Sequence, residues 1–327
     1  MAQVASDQVT DVAGAIAAAA GGEVVGRSPW ELFWRRFRKD RAAIFGLVAI
    51  MIILLLAVSA GVISGHLVHH APNQVFLREM TNEFGLPRGP NAQFWFGGDR
   101  AGRDMFVRVL YGARVSLLVA FVATGIAVVV GVTLGVAAGF YRGKVDTVVS
   151  RVTDVVMTLP VLLLAIGLVS ACGATQQGCL GGLLKPGVTL VILVIGFFSW
   201  PYIARIVRGQ VLSLREKEFI EASRALGGGN LRIMAKEILP NLVAPIIVYT
   251  TLIIPNNILF EAALSYLGLG VPTTTPSWGA MLSDASTVFT VAWWMMLFPG
   301  LFLFLTTLAF NLVGDGLRDA LDPRTGR

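Results

Sequence analysis

The sequence predicts an all-α polytopic membrane protein with six transmembrane helices, and three observations carry that expectation. Of its 327 residues, 55% are hydrophobic and only 14% charged, with a mean hydropathy of +0.72. A water-soluble domain of that composition would leave too much apolar surface in water. Six apolar runs reach or approach the roughly 20 residues that a helix needs to cross a hydrocarbon core; they cover 42–64, 115–140, 155–172, 188–204, 242–260 and 291–313. The segments joining them alternate between basic and nearly neutral.

That alternation predicts orientation, because Lys and Arg resist translocation. With both termini in the cytoplasm, the inner segments hold 19 Lys and Arg and the outer segments 6, with Arg114 left at a boundary. The five arginines within 65–112 are the outward exception, and long loops obey the rule less strictly. The net charge of +6 is then mostly a topology effect. No basic face interleaved with exposed aromatics marks a nucleic-acid partner; the bilayer is the partner that the composition demands.

In chain order, 1–27 is expected to be a disordered cytoplasmic tail. Its "AGAIAAAAGG" is too short to span and too poor in large apolar groups to pack, and it lacks the basic start of a secretory signal. Residues 28–41 begin with a capping pattern: Ser28 as N-cap, Pro29 at the first helical position and Glu31 behind it. Trp30, Phe33, Trp34 and Phe37 recur at helical spacing, with Arg35, Arg36, Arg38 and Lys39 on the other faces. This is an interfacial amphipathic helix, read as an elbow into the first span more than as a partner contact.

The first transmembrane helix is expected over 42–64, an extracytoplasmic loop over 65–112, a core with five further helices over 113–314, and a cytoplasmic tail over 315–327. Within the core, Gly131, Gly135 and Gly139 repeat every four residues and open one face for close helix packing. Pro160, Pro201, Pro245, Pro255 and Pro299 are expected to kink or end spans three to six. Asn256 and Asn257 are candidates for lining a pathway, although helix-to-helix hydrogen bonds explain them equally well. Cys172 and Cys179 flank a short outer loop where a disulfide would persist and contribute about 2 to 3 kcal/mol. Two free thiols are the alternative.

What the runs lack also constrains function. None contains Asp, Glu, Lys, Arg or His; Arg114, Arg205 and Glu261 stand at their ends. A gradient-driven carrier usually keeps ionisable groups at membrane depth, so energy for pumping is expected from elsewhere. Neither a phosphate-cradling G-x-x-x-x-G-K-[ST] nor H-E-x-x-H nor G-x-S-x-G occurs. His66, His69 and His70 form a small cluster that would suit a metal, but a polar loop with chance histidines is the simpler reading. No catalytic residue, no metal set and no resident cofactor is therefore expected.

One polar stretch stands out. "EASRALGGGNLRIMAKEILPN", 221–241, lies between two strongly apolar runs, within a cytoplasmic loop expected over 209–241. Phe219, Ala222, Ser223 and Leu226 fall on one side of a first helix, Gly227 to Gly229 end it, and 231–239 is expected to form a second helix. Such a segment, with little of its own chain to bury against, is shaped to dock into a groove on another protein.

The stretch resembles the E-A-A loop of permease subunits in ATP-binding-cassette importers, here as Glu221, Ala222, Ser223, Gly227 and the closing Glu237, Ile238, Leu239, Pro240. Ser223 replaces the second alanine of that pattern and Glu237 its isoleucine. "WFGGDRAGRDMFVRVLYGARVSL" is similar to a block before the second span in the C-type permease of dipeptide and oligopeptide importers, matching at Asp99, Gly102, Arg103, Asp104, Arg108, Gly112, Arg114 and Ser116. "RGKVDTVVSRVTDVVMTLP", "LSYLGLGVPTTTPSWGAML" and "GDGLRDALDPR" extend the likeness over most of the chain from Ser28 onward.

The resemblance implies a type I importer permease fold in the bacterial inner membrane, forming half of a peptide pathway. It implies a homologous second permease, two ATPase subunits carrying ATP and Mg, and an extracytoplasmic binding protein that delivers peptide. Glu221 would anchor the ATPase contact, with Ala222, Ser223 and Arg224 beside it, Gly227 reversing the chain, and Leu239 and Pro240 setting its re-entry into the membrane. The loop 264–281 would meet the binding protein or close the outer gate. A permease for nickel or another small solute is the alternative within the family, and a self-sufficient channel or gradient-driven carrier the alternative outside it.

Overall fold

The computed structural model describes residues 29–173, 178–179, 187–272 and 274–321. The expected tail 1–27, Ser28, most of the "GATQQG" loop, Thr273 and 322–327 lie outside the described residues. Among those described there is no β-strand, only three isolated bridges within or beside 75–104. Five helices are long and apolar enough to cross a membrane, and a bent pair makes a sixth.

The elements, in order, are α1 (Pro29–Phe37), α2 (Arg41–Val62, prolonged by a π-helical turn to Val68), the short α3 (Leu77–Met80), α4 (Met105–Tyr141), α5 (Gly143–Thr158), α6 (Val161–Gly173), α7 (Val188–Leu214), α8 (Glu218–Ala225), α9 (Asn230–Ile233), α10 (Leu239–Tyr266), α11 (Trp278–Ala285) and α12 (Trp294–Leu321). Side chains sort as lipid demands. α2 turns Phe45, Met51, Leu55, Val58 and Val62 outward and buries Ala43, Gly46, Ala57 and Ala60 against its neighbours.

The tightest seam joins α4 to α7. A Cβ added at Gly135 would stand 2.7 Å from the Ala204 carbonyl oxygen, and one at Gly131 or Gly139 equally close to Ile203 or Val211. The four-residue repeat thus presents bare backbone to α7. α12 and α2 meet in the same manner, with Gly46 under the Ala309 carbonyl and Gly316 under Ala43. Phe37 of α1 closes over Gly316, so α1 and the end of α12 share one end of the bundle.

Several boundaries differ from the sequence expectation. The 65–112 loop ends earlier, because Asp104 caps a helix that starts at Met105, accepting from the Phe106 and Val107 amides. Arg108 and Arg114, which mark the edge of the apolar run, are carried inside α4. Arg108 meets Asp99 at 3.4 Å and donates to the Pro72 carbonyl and Asn73; Arg114 donates to the Ala57 and Val58 carbonyls of α2. The third span, expected over 155–172 with Pro160 kinking or ending it, begins earlier, at Gly143, and is broken by 85° between α5 and α6. Pro160 supplies no amide and holds Leu159 extended, at φ −75° and ψ 141°. At the far end, α12 runs to Leu321, through most of the tail expected over 315–327.

Residues 69–104 fold over one end of the bundle. His70 Nδ1 lies 2.7 Å from Asp104 Oδ2, its ring packed against both Phe76 and Phe94 at centroid distances of 4.5 and 4.8 Å. His66 and His69 join no metal-ligating group, since none is found among the described residues. Trp294 Nε1 donates to the Gly98 carbonyl at 3.1 Å, pinning this cap to α12. Asp284 faces Arg103 at 3.9 Å; burial pushes its carboxyl above the ordinary range, outweighing the nearby guanidiniums.

Substitution tests the glycine seam. Gly135→Ala is expected to lower stability by about 1 to 3 kcal/mol, the cost of overpacking a close contact. Gly125→Ala, where an added methyl meets nothing, is the control. Thermal unfolding of the detergent-solubilised chain measures both.

Candidate functional site: a coupling segment and an uncharged cavity

The stretch 218–241 does not hang free of its own chain. Ile220, Ile233 and Ile238 are each 0% exposed, and they pack with Phe140, Val207, Val211 and Leu242 at the end of the bundle where α4 stops and α7 leaves. This corrects the expectation that the segment has little to bury against, and it fixes which face is inward. Phe219 and Leu226 do share an outward face, Leu226 being 90% exposed, and Leu231 beyond the turn is 77% exposed. Ala222 and Glu221 lie on that exposed surface too.

The turn is built from local chemistry. Gly227 sits at φ +80°, its amide bonded to the Arg224 carbonyl at 2.9 Å, and the Gly228 amide reaches back to the Ser223 carbonyl at 2.9 Å. A side chain at 227 would meet no atom within 4 Å, so glycine is required there for its backbone alone. Arg224 lies over the Phe140 ring at 5.6 Å, with Arg215 near it at 5.9 Å and donating to the Phe140 carbonyl. Arg142 pairs with Glu216. Arg224, itself exposed, thereby also braces α8 against the end of α4.

After the glycines no separate second helix forms. α9 passes through a π-helical turn, Met234–Ile238, directly into α10, so one rod runs from Asn230 to Tyr266. Pro240 brings no amide to the ladder, and the wider turn just before it accommodates its ring. Asn241 Nδ2 takes the Glu237 carbonyl at 2.6 Å. Leu239 and Pro240 thus lie inside one continuous helix.

That rod lines an open cavity of about 470 Å³ between α10, α7 and α6. Ser199, Tyr202, Tyr249, Asn256 and Phe260 are among its walls, and no charged side chain is. Asn257 lines it as well, but the two asparagines differ in burial and in partners. Asn257 is buried, accepting from Ser199 Oγ on α7 and donating to Thr124 Oγ1 on α4, each at 2.8 Å. Asn256 is exposed and bonds only within its own helix, to the Leu252 carbonyl at 2.9 Å. The sequence offered no means of separating neighbours in one helix without knowing what α4 and α7 present. Ser116, Ser199 and Thr124, missed as bonding partners, carry no signal beyond being hydroxyls in apolar runs.

Cys172, at the end of α6, is disulfide-bonded to Cys179, with a Cα separation of 4.7 Å. At the opposite end, Arg208 holds Asp146 by two hydrogen bonds and Arg205 holds Asp154 at 2.6 Å, closing α5 onto α7.

A membrane-spanning helical bundle with an open, uncharged cavity between its helices and an exposed, rigidly connected segment at one end has the form of a transport permease. The chain belongs to the family of binding-protein-dependent transport system inner membrane components, whose model matches residues 131–327; residues 28–83 match the N-terminal transmembrane domain of oligopeptide transport permease C. It is 41% identical over 297 residues to the dipeptide transport system permease protein DppC of Alkalihalophilus pseudofirmus, covering 91% of this chain and 90% of that one. It is 40% identical over 298 residues to the glutathione transport system permease protein GsiD of Escherichia coli O157:H7, covering 91% of both. Among solved structures, the inward-facing MetNI methionine ABC transporter superposes with a TM-score of 0.53 at 20% identity, over 67% of this chain and 98% of that one. The expected importer-permease fold is therefore the observed one.

The two asparagines give a paired test. Asn257→Ala is expected to cost about 1 to 2 kcal/mol, because it strands the Ser199 and Thr124 hydroxyls, whereas Asn256→Ala should cost less than about 0.5 kcal/mol. Unfolding midpoints in detergent compare them.

Proposed function

We propose that this chain is the membrane-spanning subunit of an ATP-driven importer of dipeptides and oligopeptides, forming half of the pathway and performing no catalysis itself. The observation that carries the mechanism is the unbroken rod from Asn230 to Tyr266, with an exposed apolar face at one end and the cavity along its length. The dipeptide and glutathione permeases named above support the substrate class. Their substrates share amide-linked backbones, and uncharged walls such as Tyr202 and Asn256 suit a cargo whose side chains vary. The same relatives favour peptide over nickel.

In this reading the chain sits in the bacterial inner membrane as a multi-pass protein with both termini in the cytoplasm, beside a homologous second permease. Two ATPase subunits, which bind ATP and Mg, each grip one coupling segment. On this chain Glu221 supplies the polar anchor, Ala222 and Ser223 the close surface, and Phe219, Leu226 and Leu231 the apolar contact. A binding protein delivers peptide to the opposite face. When the ATPases close, α8 moves with its groove, and the bracing of Ile220 and Arg224 on α4 and α7 passes that motion into the bundle. α10, rigid through Pro240, swings the cavity from one side of the membrane to the other.

Two measurements test this. ATP hydrolysis by the reconstituted complex should rise severalfold when binding protein loaded with peptide is added, and not with nickel; nickel stimulation alone would overturn the substrate assignment. Gly227→Pro cannot adopt φ +80° and is expected to reduce peptide uptake by at least about tenfold, with Glu221→Ala weaker in the same direction. Full uptake by Gly227→Pro vesicles would remove the coupling role of the turn.

A further inference from the structure

Glu261 is the one acidic residue in α10, and it is 0% exposed. Its Oε2 accepts from Ser116 Oγ of α4 at 2.9 Å and its Oε1 from Ser265 Oγ at 2.7 Å, and the Ser277 hydroxyl is a third donor. Each of these hydroxyls has a second partner on the segment that follows α10. Ser265 Oγ accepts from the Val271 amide at 3.3 Å, Ser116 Oγ from the Trp278 amide at 3.4 Å, and Ser277 Oγ from the Ala280 amide at 3.3 Å.

The amides set the directions. A backbone N–H can only donate, so each serine oxygen accepts from its amide and is left with its own proton to give to the Glu261 carboxyl group. One buried side chain thereby orients the bonds that hold the strap between α10 and α11. The strap has no slack. A Cβ at Gly270 would lie 2.0 Å from Ser265 Oγ, and one at Gly279 would lie 2.5 Å from the Ala262 carbonyl oxygen. Trp278, fully buried, donates from Nε1 to the Val109 carbonyl at 3.1 Å.

We propose that Glu261 is a positioning residue for transport: through three serine hydroxyls it makes the strap and α11 move as one body with α10. A displacement applied at the coupling segment then reaches the opposite end of the pathway without being lost in a compliant connection. This rests on the importer reading above, in which α10 is the moving lever. The sequence placed Glu261 at the margin of an apolar run, and only the convergence of α4, α10 and the strap reveals what it holds.

Glu261→Gln keeps the side chain's size but puts an NH2 donor where an acceptor stood, so at least one serine loses the acceptor for its proton and must turn away, which weakens its hold on the strap. In the assembled complex, hydrogen exchange over 267–285 should quicken by at least about tenfold, and peptide delivered per ATP hydrolysed should fall by at least about tenfold. Exchange unchanged from wild type, or an unchanged ratio of peptide to ATP, overturns the proposal. So does wild-type delivery by Glu261→Leu, which would reduce the residue to packing. Should the Glu261→Gln complex fail to assemble, the Ser116→Ala, Ser277→Ala double variant carries the same two readouts. A wild-type complex that hydrolyses ATP without regard to peptide sinks the importer reading instead, and the exchange measurement still judges Glu261 by itself.

Discussion

Lipid offers α4 and α7 no solvent to drive them together, so their union depends on shape. The fold turns on the contact that three glycines make possible. With bare backbone at 131, 135 and 139, the Ile203 and Val211 side chains and the Ala204 carbonyl come within a distance that any Cβ would forbid. Once α7 is seated there, its far end is fixed beside Phe140, and the segment that leaves it must fold back over that end. Ile220, Ile233 and Ile238 fill the resulting pocket. The coupling segment is thus placed by the packing of the spans beneath it.

Polar groups within the bundle follow a consistent logic: each joins helices that shape alone would leave loosely registered. Asn257 ties α10 to α4 and α7. Arg114 grips the carbonyls of α2, whose buried face is mostly alanine and glycine. Glu261 gathers hydroxyls from α4, α10 and the strap. In a medium that cannot compete for hydrogen bonds, such residues set register, and each of these three bonds to at least one element outside its own helix. The cavity wall is the counterpart. Asn256, Tyr202 and Tyr249 line open space there and tie no helices together in this way.

Rigidity is distributed unevenly along the chain. Pro160 breaks the third span by 85°, whereas Pro240, Pro245 and Pro255 interrupt nothing in the rod from 230 to 266. The difference lies in what precedes each proline. Leu159 is extended, so the helix has already stopped before Pro160. Before Pro240 a π-helical turn widens the coil and Asn241 takes a carbonyl from the turn before. A lever needs the second arrangement, and a bend between α5 and α6 the first.

Much of the protein was legible in its sequence. The apolar runs gave the number of spans because crossing a bilayer demands length and apolarity, both local properties. The glycine repeat gave the packing face of α4, and Gly227 the turn, since each is dictated by backbone geometry at a single position. The motif blocks gave the family for the same reason. What escaped were properties of neighbours distant in the chain. Which of Asn256 and Asn257 is buried against other helices, whether Pro240 ends a helix or rides within one, which face of α8 is inward, and that Glu261 is a hub all depend on which surfaces α4 and α7 present. Periodicity assigns a residue to a face of its own helix, but only the assembled bundle decides what that face meets.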